Sequence, residues 1–214
     1  MDAAVVLPKL ALVYLPLLLQ TQQQVWPDAP TPSALAGQIE QESCITLKHP
    51  KCWNPEAELK TDREYGFGFP QITRATRPDG SVRFDKFAEL TAKYPSLKGW
   101  MWADRFNPRM QMTAIVEMDH SIYSRVDAAT VRDRWAMTQS AYNGGEAGLA
   151  QDIWQCKLKP GCDPRRWFGH VEFTSNKSRT KWHGYGKSAF EINREYPRNI
   201  EQRRQKYITY MEKP

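Results

Sequence analysis

The chain has 214 residues, 41% of them apolar, with eight tryptophans and a net charge of +6. That apolar content excludes a disordered chain, and the length suits one folded domain with a real core. No run of about 18 uninterrupted apolar residues occurs and no period of about 20 to 50 residues recurs, so neither a spanning helix nor a repeat array is expected.

Ala3 to Leu19 is mostly apolar, yet its leading charge is Asp2, Lys9 interrupts it, and Pro8 and Pro16 break it. These features argue against a secretion signal or membrane anchor. Residues 1–30 are read instead as an N-terminal helix packed on the core. It runs from about Pro8 to Val25, with Leu12, Leu15 and Leu19 on one face and Gln20 to Gln24 turning polar. Residues 31–214 form the remaining domain. Thr31-Pro32-Ser33 offers a cap and a first-turn proline, which predicts an amphipathic helix with Leu35 and Ile39 opposed by Gln38, Gln41 and Glu42. Glu42 then falls near its C-terminal end, where the negative pole of the helix dipole disfavours ionisation of a carboxyl.

Lys48 to Glu64, with Pro50 and Pro55, reads as loop. Tyr65 to Thr73 is punctuated by glycine and predicts a small hairpin or extended lip, and Arg77 to Ser81 reads as a turn. A short helix is expected over Phe84 to Tyr94 with Phe84, Phe87 and Leu90 on one side. After a loop carrying Trp100 and Trp102, Arg109 to Val126 has Met112, Ile115, Val116, Met118, Ile122 and Val126 at near-helical spacing, which predicts a deeply buried helix. Thr130 to Tyr142 predicts another, stopped by Asn143-Gly144-Gly145 because glycine accepts a left-handed backbone without steric cost. A last helix is expected over Asn199 to Met211, with Ile200, Tyr207, Ile208 and Met211 inward. The expected fold class is mainly α.

Basic and acidic residues number 18 each up to Cys162, followed by 12 basic and 6 acidic, so the whole surplus lies in the C-terminal segment. That segment is also rich in aromatics: Trp167, Phe168, Trp182, Tyr185, Phe190, Tyr196, Tyr207 and Tyr210. No recognised nucleic-acid motif occurs, so nucleic acid is not expected as a partner. Arg165, Arg166, Lys177, Arg179, Lys181, Lys187, Arg203, Arg204 and Lys206 offer a cationic surface to anionic envelope polymers, against the plainer reading of a solvated helical face over core aromatics. Cys44 and Cys52 are eight apart and Cys156 and Cys162 six apart, so two local bridges are the simplest of three connectivities. The spacings lack the paired form of structural zinc sites, and no metal or cofactor is expected.

Three islands carry chemistry: Glu42-Ser43, then Tyr65-Gly66-Phe67-Gly68-Phe69-Pro70-Gln71-Ile72, then Ala141-Tyr142-Asn143-Gly144-Gly145. Their types and order resemble the catalytic domain of soluble lytic transglycosylases and goose-type lysozymes, whose pattern is Glu-Ser, Gly-Leu-Met-Gln-Ile and Ala-Tyr-Asn-Ala/Gly-Gly. One departure is Pro70 at the family's methionine position, which replaces a flexible, polarizable side chain with a fixed φ. The resemblance implies a lysozyme-like fold and cleavage of the β-1,4 bond between N-acetylmuramic acid and N-acetylglucosamine in peptidoglycan. Glu42 is implied as the proton donor, Tyr142 as the residue orienting it, Gln71, Asn143 and Phe69 as substrate contacts, and Ser43 as a support for the helix end or a sugar contact.

A glycosidic oxygen is a poor leaving group, so an acid must protonate it. Hydrolytic glycosidases add a second carboxylate. Lytic transglycosylases, as the resemblance implies, let the muramyl C6 hydroxyl attack C1 and form a 1,6-anhydro sugar. A goose-type hydrolase is the alternative, with Asp62 or Glu64 as the second carboxylate. A third reading is a non-catalytic glycan-binding component of a virion or envelope, since fold alone does not establish activity. The expected setting is a monomeric bacteriophage endolysin or virion lysin, made in the host cytoplasm or packaged, and acting on the wall in the periplasm. A bacterial wall-remodelling enzyme is the alternative.

Overall fold

The computed structural model describes residues 6–62, 64–182 and 186–212. Asp2 and Ala3 of the expected N-terminal segment and Tyr185 of the tail lie outside them. The described chain is mainly helical with one four-stranded antiparallel sheet. It divides into two compact units: residues 1–117 with 203–214, and residues 118–202.

The first unit opens with helix α1 (Lys9–Val25), which buries Ala11, Leu15, Leu18 and Gln22. The face is thus rotated from the one expected, and Leu12 is 56% exposed. Both stripes pass through Leu15, but Ala11 in place of Leu12 allows closer packing. Helix α2 (Ser33–Ser43) is enclosed rather than amphipathic: Ser33 through Glu40 are all buried. The buried polar positions find partners from the end of the chain, where helix α8 (Ile208–Met211) belongs to the same unit. Arg204 donates to Ser33 Oγ at 3.1 Å, and Arg203 and Lys206 reach Glu40.

The expected loop and lip are a full sheet, β1 (Glu58–Lys60), β2 (Glu64–Phe67), β3 (Ile72–Thr76) and β4 (Val82–Asp85), paired in chain order. Glu58 lies opposite Phe67, Phe67 opposite Ile72, and Ala75 opposite Phe84. Phe84 therefore belongs to β4, and helix α3 starts later than expected, spanning Lys86–Lys93. The delay has a local cause: the Asp85 side chain accepts from Ala88 N–H, so Asp85 caps the helix instead of joining it. Phe87 and Leu90 face inward, and Phe87 meets Trp100 with ring centroids 4.8 Å apart.

The second unit is built from the end of α4 (Pro108–Arg125), α5 (Val131–Gly144), α6 (Glu146–Lys157) and most of α7 (Ala189–Arg204). Its core joins Ile122, Met137, Ala141, Leu149, Trp167 and Val171. Thr130 caps α5 by accepting from Asp133 N–H, and Asp133 in turn accepts from Trp167 N–H at 2.9 Å. Helix α6 has no counterpart among the expected elements, and α7 begins ten residues before the last expected helix, with Pro197 buried inside it.

Candidate functional site

Glu42 occupies the last turn of α2, as the sequence suggests, and is half-buried. The chain leaving this turn is pinned from two directions. Ser43 Oγ donates to Ile39 C=O at 2.7 Å and accepts from Trp53 N–H at 3.0 Å. Cys44 is disulfide-bonded to Cys52, closing the segment beyond the helix. Ser43 is only 5% exposed. Its hydroxyl is spent on the backbone, which fits the first of its two expected roles, support of the helix end, rather than a sugar contact.

Glu40, two residues earlier, lies about 200° around the helix from Glu42 at 100° per residue. It is fully buried among Arg203 at 2.8 Å, Lys206 at 2.8 Å and the hydroxyl of Tyr207. Tyr207 also accepts from Trp53 Nε1 at 3.1 Å. Burial first, and then the Glu40 carboxylate, push the Tyr207 hydroxyl well above the usual tyrosine range. The two acids of this helix therefore have different surroundings: Glu40 is locked into an internal ion network, and Glu42 stands at the margin.

The second island forms the connection from β2 to β3. Gly68 and Gln71 both have left-handed backbones, with φ of 74° and 46°. Gln71 is half-buried, and its carboxamide nitrogen donates to Gly68 C=O at 2.8 Å, folding the side chain over its own turn. Phe69 is fully buried, with its ring against Tyr14 at 5.1 Å and Trp53 at 6.3 Å. Phe69 is thus corrected from substrate contact to core residue: an apolar ring with no exposed surface cannot meet a sugar. The turn is gripped by Gln111, a residue that sequence reasoning misses. Its Oε1 accepts from Phe69 N–H at 2.9 Å, and its Nε2 donates to Pro55 C=O at 2.8 Å and Arg105 C=O at 2.9 Å. A polar residue beside Met112 near the start of α4 is the one available signal.

Next to this turn Tyr65 donates to Glu58 and accepts from Arg105 Nε at 3.0 Å. The Tyr65 hydroxyl holds the Glu58 carboxyl below its usual range, with Lys60 and Arg105 adding to the effect. Burial, and then Glu58, raise the Tyr65 hydroxyl. Asp62 follows β1 and Glu64 is the first residue of β2; both are exposed, and Glu64 N–H donates to Thr61 Oγ1 at 3.0 Å.

The third island forms the corner between α5 and α6 in the second unit. Tyr142 is half-buried and stacks on Tyr196, the rings 6.4 Å apart at 12°. Asn143 is exposed, and its Oδ1 accepts from Asn193 Nδ2 at 3.0 Å. A Cβ on Gly144 would lie 2.7 Å from that same nitrogen, so only glycine lets α5 approach α7 here. Gly145, at φ 83°, turns the chain into α6.

The tail cations are largely engaged. Arg165 pairs with Asp127, Arg166 with Asp163, Lys177 and Arg194 with Asp152, and Lys187 with Glu195. Arg203 and Lys206 pair with Glu40, and Arg204 with Glu212. Of the cations the sequence nominates, Arg179 and Lys181 are the ones outside ion pairs among the described residues. Arg165, Lys177, Arg194, Arg203 and Lys206 thus answer acids from before Cys162, whereas Arg166, Lys187 and Arg204 pair within the C-terminal segment.

The described residues contain no cluster of three or more metal-ligating side chains, and no described helix is long and apolar enough to cross a membrane. Compared with protein-family models and with curated proteins, the sequence gives no significant match.

Proposed function

We propose that the chain is a peptidoglycan lytic transglycosylase with a lysozyme-like fold, in which Glu42 protonates the bridging oxygen between N-acetylmuramic acid and N-acetylglucosamine. The observation that carries this reading is the treatment of Glu42. Its backbone is held by the Ser43 hydrogen bonds and the Cys44–Cys52 bridge, yet its side chain is only half-buried. A proton donor needs a fixed position and access to substrate, and Glu40 on the same helix has position without access. A helix ending in an acid, then a small antiparallel sheet, then a helical remainder is also the order the resemblance implies.

Glu42 gives its proton to the leaving oxygen as the bond from C1 breaks. The carboxylate then takes the proton of the muramyl C6 hydroxyl as its oxygen bonds to C1, closing the 1,6-anhydro ring. An internal nucleophile arrives already positioned, so no second side chain is needed to hold it. Asp62 and Glu64, both exposed, are not required on this route. Tyr142 and Asn143 enter through the resemblance, as the residues attending Glu42 and the sugar.

The deciding experiment is mass analysis of muropeptides from purified wall digested by the protein. Anhydro ends, lighter than reducing ends by one water, support the lyase. New reducing ends would transfer the reading to a hydrolase using Asp62 or Glu64. Wall binding without any release would leave a glycan-binding component.

A further inference from the structure

Helix α6 and the residue that caps its C-terminus turn two large apolar side chains outward. Trp154 is 58% exposed, and Leu158, one turn later, 62%. Phe173, 59% exposed, lies across from Leu158 in a groove of about 430 Å³ lined also by Gln155, Lys159, Pro160, Thr174, Ser175 and Arg179. Three large apolar side chains gathered on one surface are unusual for a folded unit with a complete core of its own.

Charge selects the partner. No acidic residue lines the groove, and Lys157, Lys159 and Arg179 form no ion pair among the described residues. This contrasts with the paired cations elsewhere in the same segment. The hydroxyls at the groove are occupied: Thr174 Oγ1 donates to Asp152 C=O at 2.8 Å, and Ser175 Oγ to the Asp152 carboxylate at 2.7 Å. A sugar would find rings but few free polar groups to fix its hydroxyls. Anionic lipid would find apolar knobs to bury and cations for its phosphates. The loop that presents Leu158 and Lys159 is closed by the Cys156–Cys162 disulfide, so docking orders little that is not already ordered.

We infer that the Trp154, Leu158 and Phe173 surface, with Lys157, Lys159 and Arg179, is a docking site for an anionic phospholipid bilayer. The inference does not rest on wall cleavage, because lipid vesicles carry no glycan.

The test is co-sedimentation of the full chain with vesicles of phosphatidylglycerol mixed into phosphatidylcholine, and with phosphatidylcholine alone. The expected result is a partition coefficient at least about tenfold higher on the anionic vesicles, falling as salt screens the phosphates. Leu158→Ser combined with Phe173→Ser should lower it at least about tenfold, since each side chain buries enough apolar surface for such a factor. Lys157→Glu with Lys159→Glu should abolish the preference for anionic lipid. Trp154→Phe should keep binding but lose most of the fluorescence quenching by brominated acyl chains. Equal or absent binding to the two vesicle types, wild-type partition by the Leu158/Phe173 variant, or undiminished quenching in Trp154→Phe overturns the inference. So does binding to lipid-free peptidoglycan that the Leu158/Phe173 variant loses, which would reassign the surface to glycan.

Discussion

Replacing Gly68 by alanine tests the grip of Gln111 on the β2–β3 turn. The first cost is backbone strain: at φ 74° an alanine loses about 1 kcal/mol relative to glycine. The second is steric. A Cβ on Gly68 would meet Gln111 Cδ and Oε1 at 2.3 Å and Nε2 at 2.5 Å, so the carboxamide must leave. With it go the hydrogen bonds to Phe69, Pro55 and Arg105, each worth about 1 kcal/mol and more where a buried group is left unpaired. The expected loss is about 4 kcal/mol, with a range of about 3–6. Gly80→Ala is the control, because Gly80 has φ 82° and open space where the Cβ would go, so only the strain of about 1 kcal/mol remains. Urea unfolding followed by tryptophan fluorescence measures both. In a Gln111→Ala background, Gly68→Ala should cost only about the strain, a coupling of about 2–3 kcal/mol across the double-mutant cycle. If Gly68→Ala costs no more than Gly80→Ala, or the two substitutions are additive, the clasp is not what holds this turn.

Glu42→Gln should cut wall lysis by about 10²- to 10⁴-fold with unchanged unfolding midpoint, since it removes the proton and keeps the shape; near-normal turnover by the folded variant would sink the assignment. Glu40→Ala should do the reverse to the fold, destabilising by about 3–5 kcal/mol because Arg203 and Lys206 lose a buried partner, as read by thermal unfolding. Tyr207 has a folded-state pKa raised above its unfolded value, so its stabilising contribution is complete below about pH 10 and is lost as pH rises beyond that. Denaturation midpoints from pH 8 to pH 11 should therefore fall less steeply in Tyr207→Phe than in the wild type, and parallel curves would contradict the burial argument.

Reading the sequence succeeds where local signals and tertiary demands agree. The end of α2 beside Glu42 and the glycine stop after α5 both come from chemistry within a few residues. It fails where the inward face is polar. Helix α6 buries Leu149, Asp152 and Cys156 while sending Trp154 outward, so its apolar pattern does not mark its buried side. Helix α7 buries Asn193 and Arg194, whose polarity does not mark an inward face, and keeps Pro197 in its interior, a signal against a helix when read alone. Strand β1 is three residues with Leu59 half exposed, too short and too polar to announce itself. At the site, Glu42 is legible because a helix end is local. The burial of Ser43 and Phe69 is not, since both depend on Trp53 arriving from a separate loop. Gln111 works through the carbonyls of Pro55 and Arg105, which no spacing rule connects.

The ion network around Glu40 also sets a timetable. Its cations and its tyrosine come from residues 203 to 207, whereas Glu40 and the Glu42 turn come from the start of the chain. On the ribosome, all of residues 118–202 must emerge before Arg203, Lys206 and Tyr207 can reach that carboxylate. Were α2 to pack before then, the Glu40 carboxylate would be buried without a counter-charge, which costs several kcal/mol. The turn that carries the candidate proton donor thus gains its internal counter-charges only after residues 203 to 207 have been added.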